Sequence, residues 1–186
     1  VDVERIVIAA SASEFIHRFS RFAAGGAGVQ RAVVPNPGYG DYAAAATLAG
    51  IETVAGAAPS GSAPRDVRAL RVPSNGDLYW ITEPASPTGH TTGQVLGATI
   101  VRAIDAGAIV ALDLAYQPLR FDDQALAPEA EHAWQLWSPN KACGLTGVRA
   151  AYAIAPRGAP ALARARALRA HAASWVAGAD GVAMLA

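Results

Sequence analysis

The amino-acid sequence predicts an α/β fold of three layers (αβα), in which helices cover both faces of a mostly parallel sheet. Short apolar or β-branched runs alternate along the chain with longer segments of helical periodicity. The apolar runs are unbroken, which is typical of parallel strands that are buried on both faces. Right-handed crossovers between such strands put the helices in layers on either side of the sheet. Ligands of such sheets bind beyond the carboxyl ends of the strands.

Six segments are predicted as strands: 31–34, 51–54, 78–82, 108–112, 133–137 and 151–154. Four segments are predicted as helices: 13–22, 42–49, 92–106 and 160–177. Pro160 suits the first position of a helix, where its missing N–H is not needed. Residues 55–76, rich in Ala, Gly, Ser and Pro, are predicted to be a surface connection or a variable insertion. Residues 121–132 contain four acidic residues before His132 and are predicted to be a solvated linker.

The composition favours a globular protein of one domain. The chain has 186 residues, of which 52% are apolar and 16% charged, and its formal net charge is zero. The charge balance does not suggest a nucleic-acid partner, and we find neither a signal-peptide pattern nor an apolar run long enough for a bilayer. A single cysteine, Cys143, fits a reducing compartment and is expected to be a packing residue. The histidines show no metal-ligand spacing. We therefore expect a cytoplasmic protein without a metal or membrane partner.

The most informative residue is Lys141, because it is the only lysine in the chain. It lies in the segment Ser138-Pro139-Asn140-Lys141-Ala142-Cys143-Gly144-Leu145-Thr146-Gly147-Val148-Arg149. Partial desolvation and a nearby cation favour the neutral, nucleophilic form of an amine, so this setting suits a lysine that forms a Schiff base. The alternative is a loop lysine in a protein that uses arginine elsewhere.

Residues 136–155 resemble the lysine segment of fold-type I pyridoxal-phosphate enzymes of the class I/II aminotransferase family. Within that family the segment is most similar to the branch of histidinol-phosphate aminotransferase and threonine-phosphate decarboxylase. The similarity lies in the lysine, the run Gly144-Leu145-Thr146-Gly147-Val148-Arg149 and the apolar strand that follows. The resemblance implies that Lys141 carries pyridoxal 5'-phosphate and that Arg149 pairs with its phosphate, for which an arginine fork is well suited.

Two further segments are implied to hold the phosphate. Ser11 or Ser13 can cap a helix that has Glu14 in its first turn, and such a helix start presents free N–H groups to an anion. The family has a glycine-rich turn there, and the resemblance extends to Ala12 and Ser13 only. It also places the hydroxyl of Ser138 near the phosphate. The alternative for the helix start is an ordinary N-cap.

The resemblance assigns three residues to the cofactor ring. Tyr39, in the turn Pro35-Asn36-Pro37-Gly38-Tyr39-Gly40-Asp41-Tyr42, would stack on the pyridine. Asp113 ends an apolar strand and would pair with the pyridine nitrogen, which makes the ring an electron sink. Tyr116 would donate to the phenolic oxygen. The alternative for Asp113 is a strand-end carboxylate that caps the next loop.

Two positions depart from the family pattern. In Thr82-Glu83-Pro84-Ala85-Ser86-Pro87-Thr88-Gly89, Ser86 stands where the family has the asparagine of an Asn-Pro-Thr-Gly loop. In the family that asparagine donates to the phenolic oxygen of the cofactor, and the resemblance implies that the shorter hydroxyl of Ser86 takes this place. Asn140 stands where the family has a serine before the lysine, and it too is implied to contact the cofactor.

The resemblance implies an aminotransferase that acts on an amino acid or an amino phosphate ester, with Lys141, Asp113 and Tyr116 as catalytic residues. A threonine-phosphate decarboxylase of cobalamin biosynthesis and a non-catalytic domain that binds pyridoxal phosphate stay open. A nucleotide-binding enzyme is less favoured, because neither a Gly-x-Gly-x-x-Gly nor a Walker loop is present.

The resemblance also bears on domain organisation. We expect residues 1–170 to be the cofactor-binding large domain, partial at its N-terminal side. Residues 171–186 would begin the connection to a C-terminal small domain. Family members complete their site at a subunit boundary, so a homodimer is expected.

Overall fold

The computed structural model describes residues 1–57, 73–93, 95–122 and 124–186. Within these residues, seven strands form one sheet in the order β1-β7-β6-β5-β4-β2-β3. Their bounds are β1 Ile6–Ala9, β2 Arg31–Asn36, β3 Glu52–Ala57, β4 Asp77–Thr82, β5 Ile109–Asp113, β6 Trp134–Trp137 and β7 Ala151–Ile154. All neighbouring strands are parallel except β7, which runs antiparallel to both β1 and β6. The prediction of an α/β fold with a mostly parallel sheet is confirmed.

The helices cover both faces of the sheet. They are α1 Ala12–Gly26, α2 Gly40–Leu48, α3 Val95–Asp105, α4 Ala159–Ala170 and α5 Ala179–Leu185. Buried side chains of α1, α2 and α4 form one core with the sheet, whereas α3 and the segment before β6 form a second core on the opposite face. Alternation along β5 produces this division, because Ala111 belongs to the first core and Val110 and Leu112 to the second. The three predicted layers are therefore present.

Aromatic side chains fill the first core. The rings of Phe15 and Phe19 on α1 are stacked with centroids 5.3 Å apart, and the Phe19 ring lies 5.0 Å from that of Trp134 on β6. Trp80 on β4 contacts the edge of Phe19 and stacks on Tyr42 of α2. Such pairs are worth about 0.5–1.5 kcal/mol beyond the burial of their area. They fix the starts of α1 and α2 over the sheet.

A buried arginine on α1 links this helix to strand β1 and helix α4. Arg18 is 1% exposed, and its guanidinium donates to the carbonyls of Ile8 on β1 and Leu168 on α4. It also forms an ion pair with Glu14, one turn earlier on α1. Burial lowers the pKa of the Arg18 guanidinium, and the neighbouring Glu14 opposes that shift.

Several predicted bounds were wrong. The helix predicted at 160–177 ends at Ala170, and Trp175 beyond it is 91% exposed, so the continuation would have no apolar face to bury. The helix predicted from residue 92 begins at Val95. Strand β1 and helix α5 were not predicted, because each is too short to show a clear period.

The two predicted connections have different outcomes. Residues 121–132 are not a solvated linker throughout: Ala130 is buried, and Leu126 and Ala127 pack against the core of α3. In the segment predicted as a surface connection, β3 continues to Ala57, and residues 73–76 lead into β4. Residues 58–72 lie outside the described part of the chain.

The buried arginine gives a test of this framework. Arg18→Met keeps much of the side-chain volume but leaves the carbonyls of Ile8 and Leu168 without their donor. We expect the free energy of unfolding to fall by about 2 kcal/mol in urea denaturation. Arg21→Met changes an exposed residue of the same helix and is the matched control. Equal stability of the two variants would contradict a structural role for Arg18.

Candidate functional site

The candidate residues meet at one edge of the sheet. Strands β1, β2, β4, β5 and β6 run in the same direction, so the segments that follow them emerge on one side. Strand β7 runs the other way, and Trp137 at the end of β6 pairs with Tyr152 near the start of β7. The residue before β7 is therefore carried to the same edge as the residues after the other strands. This places Arg149 beside Lys141.

A pocket at this edge is lined by all ten residues that the sequence singled out: Ala12, Ser13, Tyr39, Ser86, Asp113, Tyr116, Ser138, Asn140, Lys141 and Arg149. The space inside the pocket, counted to its open mouth and including solvent there, is about 610 Å³. Four more residues line it that were not predicted to contact a cofactor: Ser11, which was predicted only as a possible helix cap, Tyr42, Thr82 and Ala115. The structure thus gathers the proposed site residues in one pocket.

Among the described residues that line the pocket, Asp113 is the only acidic one, and it is 5% exposed. One carboxylate oxygen accepts a hydrogen bond of 2.6 Å from the hydroxyl of Tyr42, and the other accepts one of 3.0 Å from the N–H of Ala115. Burial raises the pKa of Asp113, while the hydrogen bonds from Tyr42 and Ala115 and the charge of Lys141 act against that rise. Each oxygen keeps a further lone pair for a ligand.

The two tyrosines at the start of α2 have distinct surroundings. Tyr39 is the N-cap residue of α2, is 43% exposed, and forms a hydrogen bond of 3.0 Å with the hydroxyl of Ser13 on α1. Tyr42 is fully buried, and its ring meets that of Tyr39 edge-on at 5.7 Å. The spacing of three residues on a helix could have pointed to Tyr42, since such residues are neighbours on one face.

The N-terminus of α1 points its free backbone groups at the pocket. Ser11 caps the helix by accepting from the N–H of Glu14, and Glu14 accepts in turn from the N–H of Ala10. The N–H groups of Ala12 and Ser13 have no intrahelical acceptor, as in any first helical turn. With the positive end of the helix dipole and Arg149 in the same lining, this part of the pocket suits an anion.

Lys141 lines the pocket from the loop after β6. Its Nζ atom is 5.2 Å from the centroid of the Tyr116 ring, a cation–π contact. In the part of the chain that the structure describes, the pocket lining has two cationic side chains, Lys141 and Arg149, and one carboxylate, that of Asp113. The site therefore has an excess of positive charge for an anionic ligand.

The loop that carries Lys141 is braced by Asn140. The hydroxyl of Ser138 donates to the side-chain oxygen of Asn140 at 2.9 Å, and the side-chain nitrogen of Asn140 donates to the carbonyl of Val148 at 3.3 Å. The N–H of Leu145 donates to the carbonyl of Asn140. Gly144 turns the chain with φ of +66°, a conformation that favours glycine. Asn140 is thus occupied within its own loop in this structure, although it lines the pocket.

The loop that carries Ser86 is held from below by a buried carboxylate. Glu83 is 1% exposed and accepts from both the N–H and the hydroxyl of Thr92. Arg120 pairs with it at 3.3 Å. Ser86 and Tyr116 also border a second, wider cavity that is lined by Leu119 and Phe121, so they form the rim between the two cavities.

The donors and acceptors of the pocket fit pyridoxal phosphate. The helix start and Arg149 suit its phosphate, the buried carboxylate of Asp113 suits its ring nitrogen, and a lone amine, Lys141, suits its aldehyde. Tyr39, partly exposed beside the pocket, offers a flat ring for stacking. Among the described residues, no cluster of His, Cys, Asp and Glu has the arrangement of a metal site.

Comparison with known proteins gives one family and many similar folds. The model of the family described as aminotransferase class I and II matches residues 1–184. Among solved structures, an assigned histidinol-phosphate aminotransferase from Erwinia carotovora atroseptica is 22% identical, with a TM-score of 0.75, over 100% of this chain and 54% of that chain. L-threonine-O-3-phosphate decarboxylase from Porphyromonas gingivalis is 16% identical, with a TM-score of 0.72, over 99% of this chain and 53% of that chain.

A third similar structure is YbdL from Escherichia coli, described as having a methionine aminotransferase function. It is 21% identical, with a TM-score of 0.72, over 98% of this chain and 49% of that chain. The chain thus spans about half the length of these three structures. No curated protein sequence matches it. Among the helices of the described residues, none has both the length and the apolar character needed to cross a membrane.

Proposed function

Because the chain belongs to the class I and II aminotransferases, a family of pyridoxal-phosphate-dependent enzymes, we propose that its pocket binds pyridoxal phosphate for amino-group transfer. The substrate class that we propose is an amino acid or an amino phosphate ester. The observation that carries the proposal is the convergence of Asp113, Lys141, Arg149 and the start of α1 in one pocket. These residues come from three separate segments of the chain: the start of α1, the end of β5 and the connection between β6 and β7.

The phosphate end of the pocket would be formed by α1 and by the loop before β7. The N–H groups of Ala12 and Ser13 and the guanidinium of Arg149 provide donors and positive charge for a dianion. Ser138 would turn its hydroxyl from Asn140 to the phosphate or support it through Asn140. Its short side chain leaves space beside Lys141.

The ring end of the pocket would be formed by Tyr39, Asp113, Ser86 and Tyr116. Tyr39 would lie against one face of the ring, steadied by its hydrogen bond to Ser13. The Asp113 carboxylate would stabilise a protonated ring nitrogen, and only its ionised form can accept that hydrogen bond. The hydroxyls of Ser86 and Tyr116 would donate to the phenolic oxygen.

When bound, pyridoxal phosphate supplies an aldehyde that condenses with amines and a ring that accepts electrons. The amine of Lys141 would hold the cofactor through its aldehyde. When not attached to the cofactor, the same amine would serve as the general base for the proton on the substrate α-carbon, and in its protonated form it would serve as the general acid. Tyr116 lies beneath Nζ and limits the positions that the amine can reach.

We further propose the organisation of the complete protein. Residues 1–170 would be the cofactor-binding large domain, and residues 171–186 would begin the connection to a small domain. The pocket offers an anion site and a ring site, but the described residues hold few groups that could fix a substrate carboxylate. A second copy of the protein is proposed to complete the site.

Lys141 can be tested by chemical trapping. After incubation of the full-length protein with pyridoxal phosphate and reduction with borohydride, we expect a peptide modified at Lys141. Lys141→Ala should lose that peptide and the accompanying absorbance band, while circular dichroism stays unchanged. Lys141→Arg controls for the charge. Modification at another amine with Lys141 unmodified would refute the assignment. Product analysis with candidate amino acids then separates transamination from decarboxylation.

Arg149 can be tested by comparing two ligands. Arg149→Gln should weaken binding of pyridoxal phosphate about tenfold to a hundredfold, because a charge-assisted hydrogen-bond pair to the phosphate is lost. Binding of pyridoxal, which lacks the phosphate, should change little. Arg157→Gln, in an exposed pair with Glu131, is the matched control. An equal loss for both ligands would argue against a phosphate contact.

The oligomeric state can be measured directly. We expect the full-length protein to sediment as a homodimer at micromolar concentration, because the pocket is open where further protein would cover it. Activity should fall on dilution below the dissociation constant of the dimer. A monomer that retains full turnover would contradict the proposal.

A further inference from the structure

We propose that Tyr42 is a positioning residue, whose hydroxyl, supported by Thr82, holds the Asp113 carboxylate ionised and aimed into the pocket. This inference rests on the proposed function only in taking Asp113 as the partner of the cofactor ring nitrogen. Tyr42 does not itself need to touch the cofactor, since it acts through Asp113.

The direction of the hydrogen bonds follows from their number. The Tyr42 hydroxyl is 2.6 Å from Asp113 Oδ2 and 2.9 Å from Thr82 Oγ1, and it has one proton. An ionised carboxylate can only accept, so the Tyr42 proton lies toward Asp113. Thr82 must then donate to the Tyr42 oxygen. The result is a directed relay from Thr82 through Tyr42 to Asp113.

Packing fixes the tyrosine in the orientation that the relay needs. Tyr42 has no exposed surface, and its ring stacks on Trp80 with centroids 4.9 Å apart and planes 21° from parallel. The Tyr39 ring contacts it edge-on from the pocket side. Thr82 and Trp80 both belong to β4, so one strand supplies both the stacking surface and the donor. The Tyr42 hydroxyl therefore cannot form a hydrogen bond with solvent instead.

The relay compensates for the removal of Asp113 from water. Burial raises the pKa of Asp113, which would favour the neutral acid, and the Tyr42 hydrogen bond is the largest contribution in the opposite direction. The charge of Lys141, on the loop after β6, also lowers the pKa of Asp113, and the charge of Asp113 in turn contributes to the raised pKa of Tyr39, before α2. Burial and the nearby Asp113 charge raise the pKa of Tyr42 well above its usual value, so it stays a neutral donor.

The test is the titration of Asp113 in the full-length protein without cofactor. Carbon NMR of the aspartate carboxyl groups, with Asp113 assigned by loss of its signal in Asp113→Asn, reports where it ionises. In Tyr42→Phe the ring stack stays and the donor is lost, so Asp113 should titrate at a higher pH than in the unchanged protein. Tyr79→Phe, one residue before Trp80 and on the other face of β4, is the matched control and should leave the titration unchanged.

Thr82 provides a second pair of variants that does not depend on how well Tyr42→Phe folds. Thr82→Val removes the donor at nearly constant shape and should also raise the pH at which Asp113 titrates, by less than Tyr42→Phe. Thr82→Ser keeps the hydroxyl and should restore the original titration. If Asp113 titrates at the same pH in Tyr42→Phe and the unchanged protein, or in Thr82→Val and Thr82→Ser, the inference is overturned.

Cofactor affinity gives an independent measure. Tyr42→Phe should bind pyridoxal phosphate about tenfold more weakly at neutral pH, because a hydrogen bond to a charged group is lost. The loss should grow as the pH falls, since the less stabilised carboxylate is protonated first. Failure of the unchanged protein to bind pyridoxal phosphate would refute the proposed function, and the titration without cofactor would still decide the role of Tyr42.

Discussion

The buried carboxylate of Asp113 is the constraint on which the arrangement of the site depends. A carboxylate that is nearly removed from water must be paired or hydrogen-bonded, or it becomes neutral. Its partners come from different elements: Tyr42 from α2, the N–H of Ala115 from the turn after β5, and the charge of Lys141 from the loop after β6. Tyr42 is held in turn by the apolar core, where its ring stacks on that of Trp80. The ionisation of the pocket carboxylate therefore depends on the packing of the apolar core.

The pocket shows how two departures from a family pattern are accommodated. Asn140 is bulkier than serine, and its amide spans the loop from Ser138 to Val148, which stiffens the segment that carries Lys141. Ser86 is shorter than asparagine and lies on a loop held by the buried Glu83 and Arg120 pair. In both places the substituted residue lies on a loop that hydrogen bonds or an ion pair hold in one conformation.

Much of the fold and of the site could be predicted from the sequence, for physical reasons. Long apolar runs such as β4 and β5 are unambiguous, and polar residues after strand ends converge because parallel strands end at one edge. The antiparallel direction of β7 was not visible, because alternation does not encode direction. Tyr42 and Thr82 escaped notice because both face the apolar core, where a hydroxyl is indistinguishable in sequence from packing. The role of Arg18 was not visible in the sequence either. A charged residue at a buried helix position does not reveal that its acceptors are the carbonyls of Ile8 and Leu168, on β1 and α4.

The pairing of β1 with β7 has a consequence for the order of assembly. Ala9 pairs with Ala151, and Arg5 donates to the carbonyl of Ala155, so these contacts join segments that lie more than 140 residues apart in sequence. Closing so large a loop carries an entropic cost before any contact compensates for it, so such pairings slow folding. Ala12 follows β1 and Arg149 precedes β7, so these two residues line one pocket only when β1 and β7 are paired. A ligand that contacted both residues would bind only the paired strands and would therefore stabilise this long-range pairing.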